Sequence, residues 1–565
     1  MIEKESVKAY ALENAIKHKG KAQQGAVLSS LFSEGLDKSS ARDMIPLIAE
    51  VLEEVNSLSL EEQKSEYEKL KKRVKKRKTR EAGELPELPD AEIGKVVMRV
   101  APFPSGPLHI GNARQVILND EYVKKYSGRF LLVMDDTIGS EEKQIESEAY
   151  DLIKEGIKWL GAECEKTIYK SDRNEIYYKY AEELIEQGHM YVCGCSQEKF
   201  HEYKESGVDC PCRHLPSEIQ IKRWKKMFSR KTKSGALVVR LKTSMQDPDP
   251  AFRDRVMLKI SERAHPRTKK KYRVYPAMEF SWAIDDWLFG VTHVLRGIEH
   301  QMSTKVQEFI RNLLKVPNPV SIYSGHFQIE GVKISKSKGA KEVKSGQYIG
   351  WNDPRLWSLQ SLRERGILPE AVREFLLSQG ITKSNSKIAI DVLYALNRKY
   401  LEDCKRYFFV PEPVKIKISG APNIKVSLPL HPTKDLGSRV CESFQEFYIP
   451  KQDYDLMKNN NYRLMHLLNF NSSDVLMTKP RYFSFISEEP DTKLDAKFIQ
   501  WLPAEKESLK ISVMMPDGSV VNGLGEMELK KLKKDEIVQF ERFGFAKLHL
   551  MNKKENKAEF WFTHR

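Results

Sequence analysis

Apolar residues recur at intervals of three and four through Met44, Leu47, Ile48, Val51, Leu52 and Val55, which predicts amphipathic helix over residues 1 to about 80. The prolines of Glu84-Leu85-Pro86-Glu87-Leu88-Pro89-Asp90 then mark a linker. Beyond it the rhythm changes. Val96-Val97-Met98-Arg99-Val100 reads as a buried parallel strand, Asn112 to Leu118 as the helix after it, Phe130 to Met134 as a second strand, and Tyr150, Ile153, Ile157 and Leu160 as one face of a second helix. Strands alternating with helices predict a doubly wound α/β sheet, whose ligands lie beyond the carboxyl ends of its strands.

This pattern breaks between 181 and 274, as expected of an insertion, and returns with strands at Thr292 to Arg296 and Val320 to Tyr323. Residues 341 to 404 read as helices, with Ala371, Phe375 and Leu376 on one face. Past 405 the period falls to two, in Val414 to Ile418 and Leu509 to Val513, with turns such as Pro516-Asp517-Gly518. That predicts an antiparallel β region of one or two barrels. The expected organisation is multidomain: an N-terminal helical domain (1–92), a Rossmann-like catalytic domain in two halves (93–180 and 275–340) around an insertion (181–274), a helical subdomain (341–404) and a β-barrel region (405–565). No internal repeat is visible.

Charge narrows the choice of partner. A formal net charge of +15 over 565 residues suits a polyanion, and the basic run Lys69 to Lys78 is either a solvated helix or an RNA-facing arm. No apolar run approaches bilayer length and the N-terminus lacks a signal-peptide pattern, so a cytoplasmic protein is expected, with no membrane partner. Four of the seven cysteines, Cys193, Cys195, Cys210 and Cys212, crowd into one segment with His201 and His214 close by. Two Cys-x-Cys pairs could wrap a structural zinc ion (Zn2+), with no position left open for chemistry; the alternative is a loop of reduced thiols.

Two segments carry the candidate chemistry. Pro104-Ser105-Gly106-Pro107-Leu108-His109-Ile110-Gly111-Asn112 falls on the turn from first strand to first helix. Gly106 and Gly111 would let the backbone approach a ligand, the helix N-terminus would offer N–H groups and partial positive charge to a phosphate, and His109 could donate into the same region. Lys333-Ile334-Ser335-Lys336-Ser337 supplies mobile ammonium groups that can follow charge building on a pentacoordinate phosphorus and a leaving pyrophosphate. Singly, these read as an ordinary loop and a solvated stretch; in this order and setting they point to a nucleotide site.

Together the two motifs resemble the signatures of class I aminoacyl-tRNA synthetases. The stretches Arg99 to Asn112, Asp285-Asp286 through Leu295-Arg296-Gly297-Ile298-Glu299-His300, Gly331 to Lys336, and Asp353-Pro354-Arg355 through Arg363-Glu364-Arg365-Gly366 are similar to the glutamyl/glutaminyl branch, in particular the archaeal glutamyl-tRNA synthetases. The resemblance spans essentially the whole chain. It implies ATP-dependent activation of glutamate, with Mg2+ as the ATP counterion. Transfer to the 2′-hydroxyl of the terminal adenosine of tRNA would follow, with the glutamine acceptor open as a second substrate beside the glutamate acceptor. The resemblance places Pro104, Ser105, His109, Gly111, Asn112, Lys333, Ser335 and Lys336 around ATP, with His109 and Lys336 handling phosphate. It sets Asp135 against the substrate α-amino group and Arg99 and Arg296 in the amino-acid pocket, Arg296 facing the side-chain carboxylate as the glutaminyl enzymes do not. The chain departs from the family at Phe103, where a polar residue is usual, and at Val133-Met134, in place of an arginine and an aromatic residue. Met278 stands where relatives place a tyrosine that hydrogen-bonds the substrate side chain. The alternatives are glutaminyl charging and a non-catalytic RNA-binding paralogue.

Overall fold

The computed structural model describes residues 3–565 except 35, 37–39, 75–84, 139–143, 332–335 and 474–481, and no side chains at 33, 34, 42 and 336–338. The chain divides into two compact units, 1–81 and 82–565. In the first, helices α1 (Lys4–Lys17), α2 (Gln24–Glu34), α3 (Ala41–Ser57) and α4 (Leu60–Leu70) bury Val7, Leu12, Val27, Leu31, Ile48, Val51 and Val55 in one core. The α4 start is locally encoded: Ser59 Oγ accepts from Glu62 N–H and Glu62 Oε2 accepts from Ser59 N–H, a capping box. The end of the basic run, Lys75 to Lys78, lies outside the described residues.

The second unit opens with β1 (Val97–Val100), α5 (Ile110–Lys125), β2 (Arg129–Met134), α6 (Ala149–Trp159), β3 (Lys166–Tyr169) and α7 (Asn174–Glu186). The three strands pair in parallel in the order β1-β2-β3. Alternation along β2 feeds two cores, because successive side chains leave opposite faces. Phe130, Leu132 and Met134 pack beneath α5 and α6, whereas Leu131 and Val133 pack with Trp282, Val291 and Val294. Val133 and Met134, two of the departures from the family, are thus wholly buried core residues.

The inserted segment carries β4 (Met190–Cys193), α8 (Gln197–Ser206), α9 (Ser217–Met227), β5 (Val238–Leu241), β6 (Val256–Ile260) and β7 (Val274–Pro276), its strands forming an antiparallel sheet in that order. Neither expected border of the insertion falls in a loop. Residue 181 lies inside α7, and β7 spans 274 and 275. The reason is packing: Tyr177, Ala181, Leu184 and Ile185 of α7 share a core with Met190, Val192, Val239 and Leu258 of the inserted sheet.

The chain returns through α10 (Met278–Leu288), β8 (His293–Gly297), α11 (Gln301–Leu314) and β9 (Val320–Ser324), with β8 and β9 parallel. A backbone bond from Thr292 N–H to Val97 O (3.0 Å) ties this pair to β1. Reading across, the order is β3-β2-β1, then β8-β9, and it reverses between β1 and β8, where open parallel sheets bind ligands. Then come β10 (Phe327–Glu330), α12 (Lys336–Lys344), α13 (Leu359–Glu364), α14 (Pro369–Leu377), β11 (Ser386–Ala389) and α15 (Ile390–Leu401). The strand β11 corrects the all-helical reading of 341–404: it pairs in parallel with β10, Ile388 opposite Ile329, and is too short to show a period of its own.

From 406 to 564 the described residues form two seven-stranded sheets and a two-stranded hairpin. The expectation of an antiparallel region is corrected here, since both large sheets are mixed. Leu509–Met514 runs parallel to Lys557–His564, and Asn461–Leu464 parallel to Lys497–Ile499. A period of two reveals strands but not the direction of their neighbours.

Candidate functional site

A cavity of about 470 Å3 opens at the switch between β1 and β8, lined among others by Arg99, His109, Gly111, Asn112, Asp135, Met278, Trp282 and Arg296. Residues far apart in sequence meet there because the strands carrying them end at the same edge.

On one side stands the first motif. Ser105 N–H bonds Phe103 O (2.9 Å) and Pro104 O accepts from Glu146 N–H (2.9 Å), so both residues shape the loop. Gly106 has φ +145°, and a Cβ there would come within 3.0 Å of the Trp351 indole. A Cβ on Gly111 would come within 3.1 Å of the His109 ring. These glycines therefore make room for side chains of the chain itself, where the sequence reading assigned that room to a ligand. His109 caps α5: its Nδ1 accepts from Asn112 N–H (3.3 Å) and Asn112 Oδ1 accepts from His109 N–H (3.4 Å). With Nδ1 an acceptor, the proton of the neutral imidazole sits on Nε2. The expected array of helix N–H groups is also shorter than predicted. Ile110 N–H is spent on Trp357 O (3.1 Å) and Asn112 N–H on His109, leaving Gly111 N–H as the first-turn donor with no acceptor among the described residues.

On the other side stand the charged groups. Arg99 is held bidentate by Asp286, Nε to Oδ1 at 2.7 Å and Nη2 to Oδ2 at 3.0 Å, with its guanidinium 3.6 Å from the Trp282 ring centroid. Asp135, just past β2, faces Lys170 Nζ at 2.9 Å and accepts from Trp282 Nε1 at 3.1 Å. The next carboxylate, Asp136, is wholly buried, accepting from Tyr150 OH and from Ser171 N–H and Oγ–H, and so is structural. Arg296, at the end of β8, donates from Nη1 to Thr304 Oγ1 (2.8 Å) and Gln307 Oε1 (3.0 Å). No carboxylate pairs with it among the described residues. Burial, reinforced by the nearby Arg99 charge, pulls its guanidinium down to about 10. Met278 begins α10 at the cavity wall and adds only apolar surface.

Trp282 and Lys170 were missed in sequence, since a tryptophan in an apolar helix and a lysine in a polar turn carry no local sign of pairing. Lys333 and Ser335 lie outside the described residues; Lys336 begins α12, and its side chain is not described.

Away from the cavity, the Sγ atoms of Cys193, Cys195, Cys210 and Cys212 all lie within 4.8 Å of one another. Cys193 and Cys210 are 3.9 Å apart, as are Cys195 and Cys212. Tetrahedral thiolates around zinc at about 2.3 Å would stand about 3.8 Å apart, so the donor set and spacing fit that ion. Gly194 N–H (3.5 Å) and Arg223 Nη1 (3.2 Å) both donate to Cys212 Sγ, contacts that favour a thiolate. His214 bonds Asp209 at 3.0 Å and stands outside the cluster. Among the described residues no helix is long and apolar enough to cross a membrane.

Three family models match the chain: the catalytic domain of class I (E and Q) tRNA synthetases over residues 95–403, and two anticodon-binding domain models of the same class over 404–481 and 498–549. The glutamate–tRNA ligase of Methanothermobacter marburgensis is 41% identical over 569 residues, covering 100% of each chain. That of Pyrococcus horikoshii is 44% identical over 563 residues, 97% of each. That of Pyrococcus abyssi is 43% identical over 555 residues, 95% of this chain and 96% of the relative.

Proposed function

Because the chain belongs to the class I (E and Q) tRNA synthetases, we propose that it is a glutamate–tRNA ligase whose cavity activates glutamate with ATP and whose second half-reaction esterifies tRNA. A glutamate α-carboxylate oxygen attacks the α-phosphorus of ATP, forming the mixed anhydride as the bond to pyrophosphate breaks. The 2′-hydroxyl of the terminal adenosine then attacks the acyl carbon, its proton is lost, and AMP leaves.

The observation that carries the choice of amino acid is Arg296, a guanidinium at the cavity wall whose partners are all neutral. An uncharged carboxamide would leave it so; a γ-carboxylate supplies the missing counter-charge. Glutaminyl charging is disfavoured on this ground. Asp135 offers a carboxylate to the α-ammonium, and His109 Nε2–H and Gly111 N–H are donors for the phosphates. Lys333 and Lys336 would follow the charge onto pyrophosphate, and Mg2+ would shield the triphosphate on which that charge develops. ATP–pyrophosphate exchange should appear with glutamate, in some conditions only with tRNA bound, because closure of a site on its correct substrate can assemble it. Absence of exchange with any amino acid, tRNA present, would leave the non-catalytic reading standing. Charging assays with purified glutamate and glutamine tRNAs measure the remaining specificity.

The four thiols would hold a structural zinc that staples the inserted domain. Elemental analysis of protein purified without added metal should give about one equivalent. Cys210→Ser should lower the melting temperature of the inserted domain more than it slows adenylation. Metal-free protein whose four thiols react freely while folded would return the cluster to reduced loop cysteines.

A further inference from the structure

We propose that Trp282 is a positioning residue that holds the two ion pairs of the amino-acid pocket as one unit and fixes the Asp135 carboxylate for the substrate α-ammonium; this rests on the ligase reading above. Trp282 lies on α10, only 3% exposed, yet borders the cavity. Its indole N–H, a donor only, is spent on Asp135 Oδ2 at 3.1 Å. The other carboxylate oxygen faces Lys170 Nζ at 2.9 Å, and that ammonium is itself anchored on Ser281 Oγ at 2.6 Å, the residue beside Trp282 on the same helix. Lys170 Nζ stands 4.1 Å and the Arg99 guanidinium 3.6 Å from the indole centroid. One turn further along α10, Asp286 clasps Arg99. A single helix therefore locks residues of β1 and of the loop after β2 against each other.

The chemistry follows from lone-pair bookkeeping. A carboxylate has about four acceptor sites. Trp282 takes one on Oδ2, while Oδ1 is buried beside Lys170 Nζ, so the site left for an incoming ammonium is on Oδ2, the oxygen that the indole N–H orients. Lys170 also offsets the Asp135 charge, so affinity for the α-ammonium depends on orientation more than on net charge, and orientation is what the indole N–H provides. Arg296, assigned to the γ-carboxylate, hydrogen-bonds Thr304 and Gln307 rather than any member of this arrangement.

The test is Trp282→Phe, which keeps an aromatic ring beside both cations and removes the N–H. In ATP–pyrophosphate exchange the KM for glutamate should rise roughly tenfold, the scale of losing one bond to a charged group, with the KM for ATP unchanged. Glutarate, the same dicarboxylate without the amino group, should inhibit wild type and variant equally. Trp282→His, which offers a ring N–H again, should recover part of the loss. An unchanged glutamate KM overturns the proposal, as does a fall in glutarate affinity in step with glutamate, which would make Trp282 a packing residue alone. A variant that fails to fold while Trp282→His folds with wild-type KM supports the N–H; failure of both to fold overturns it in favour of packing. Wild-type exchange with glutamate is the control that separates the two readings: its absence removes the ligase reading, and this one with it.

Discussion

Arg296→Ala should lower kcat/KM for glutamate in ATP–pyrophosphate exchange by roughly 3 kcal/mol or more, a factor of about 150, because it leaves a γ-carboxylate under-paired at the cavity wall. Arg99 cannot take over. One edge of its guanidinium, Nε and Nη2, is already on Asp286, so its charge is offset before substrate arrives. Among the described residues Arg296 hydrogen-bonds Thr304 and Gln307, both neutral, so a ligand carboxylate gains the charge pairing that they do not supply. Stability should move differently. Burial lowers the Arg296 pKa to about 10, so between that value and the ordinary arginine range the unfolded chain binds more protons than the folded one. The folded state is therefore disfavoured by this group below pH 10 and relieved above it, and replacing the arginine should not lower the melting temperature at neutral pH. Glutarate binding, which has no α-amino group to confuse the titration, should weaken as pH rises through about 10. Met278→Tyr should be tolerated, since it adds a donor at a wall that now offers only apolar contact. An Arg296→Ala protein that keeps the wild-type preference for glutamate over glutamine would place the side-chain pocket elsewhere.

Lys336→Ala should slow adenylation by about 10²- to 10³-fold with little change in melting temperature, the result expected of an ammonium that serves the charge of the transition state. His109→Ala should slow the reaction comparably but also cost stability, about 1 kcal/mol, because the imidazole doubles as the cap of α5. Rapid-quench measurement of the adenylate, beside a thermal melt of each protein, separates the two. Wild-type rates in both variants would reduce the motifs to ornament.

These expectations divide by what each depends on. The turn carrying His109 was readable in sequence, as were the strand before it and the helix after it, because hydrophobic period and turn residues act over a few neighbours. The family was readable too, through motifs that stay contiguous. Local signals failed where contacts override them. The antiparallel expectation for the C-terminal region missed the parallel pairing of Leu509–Met514 with Lys557–His564, since strand direction is set by a partner elsewhere in the chain. The role given to Gly111 missed the imidazole folding back over it, which only the cap geometry displays.

The sequence by itself determined the residue types at the cavity, the order of strands and helices that brings them to one edge, and the pair of motifs that names the family. Only the tertiary structure decided who is paired with whom. Arg99 meets Asp286 across 187 residues, Trp282 meets Asp135 across 147, and Arg296 is left with neutral partners. The physical reason is that a charge has no fixed meaning along the chain. Its pKa, its orientation and its remaining capacity to bind are set by the groups within a few ångströms, and those are chosen by how the sheet reverses between β1 and β8 and by the face that α10 turns toward both.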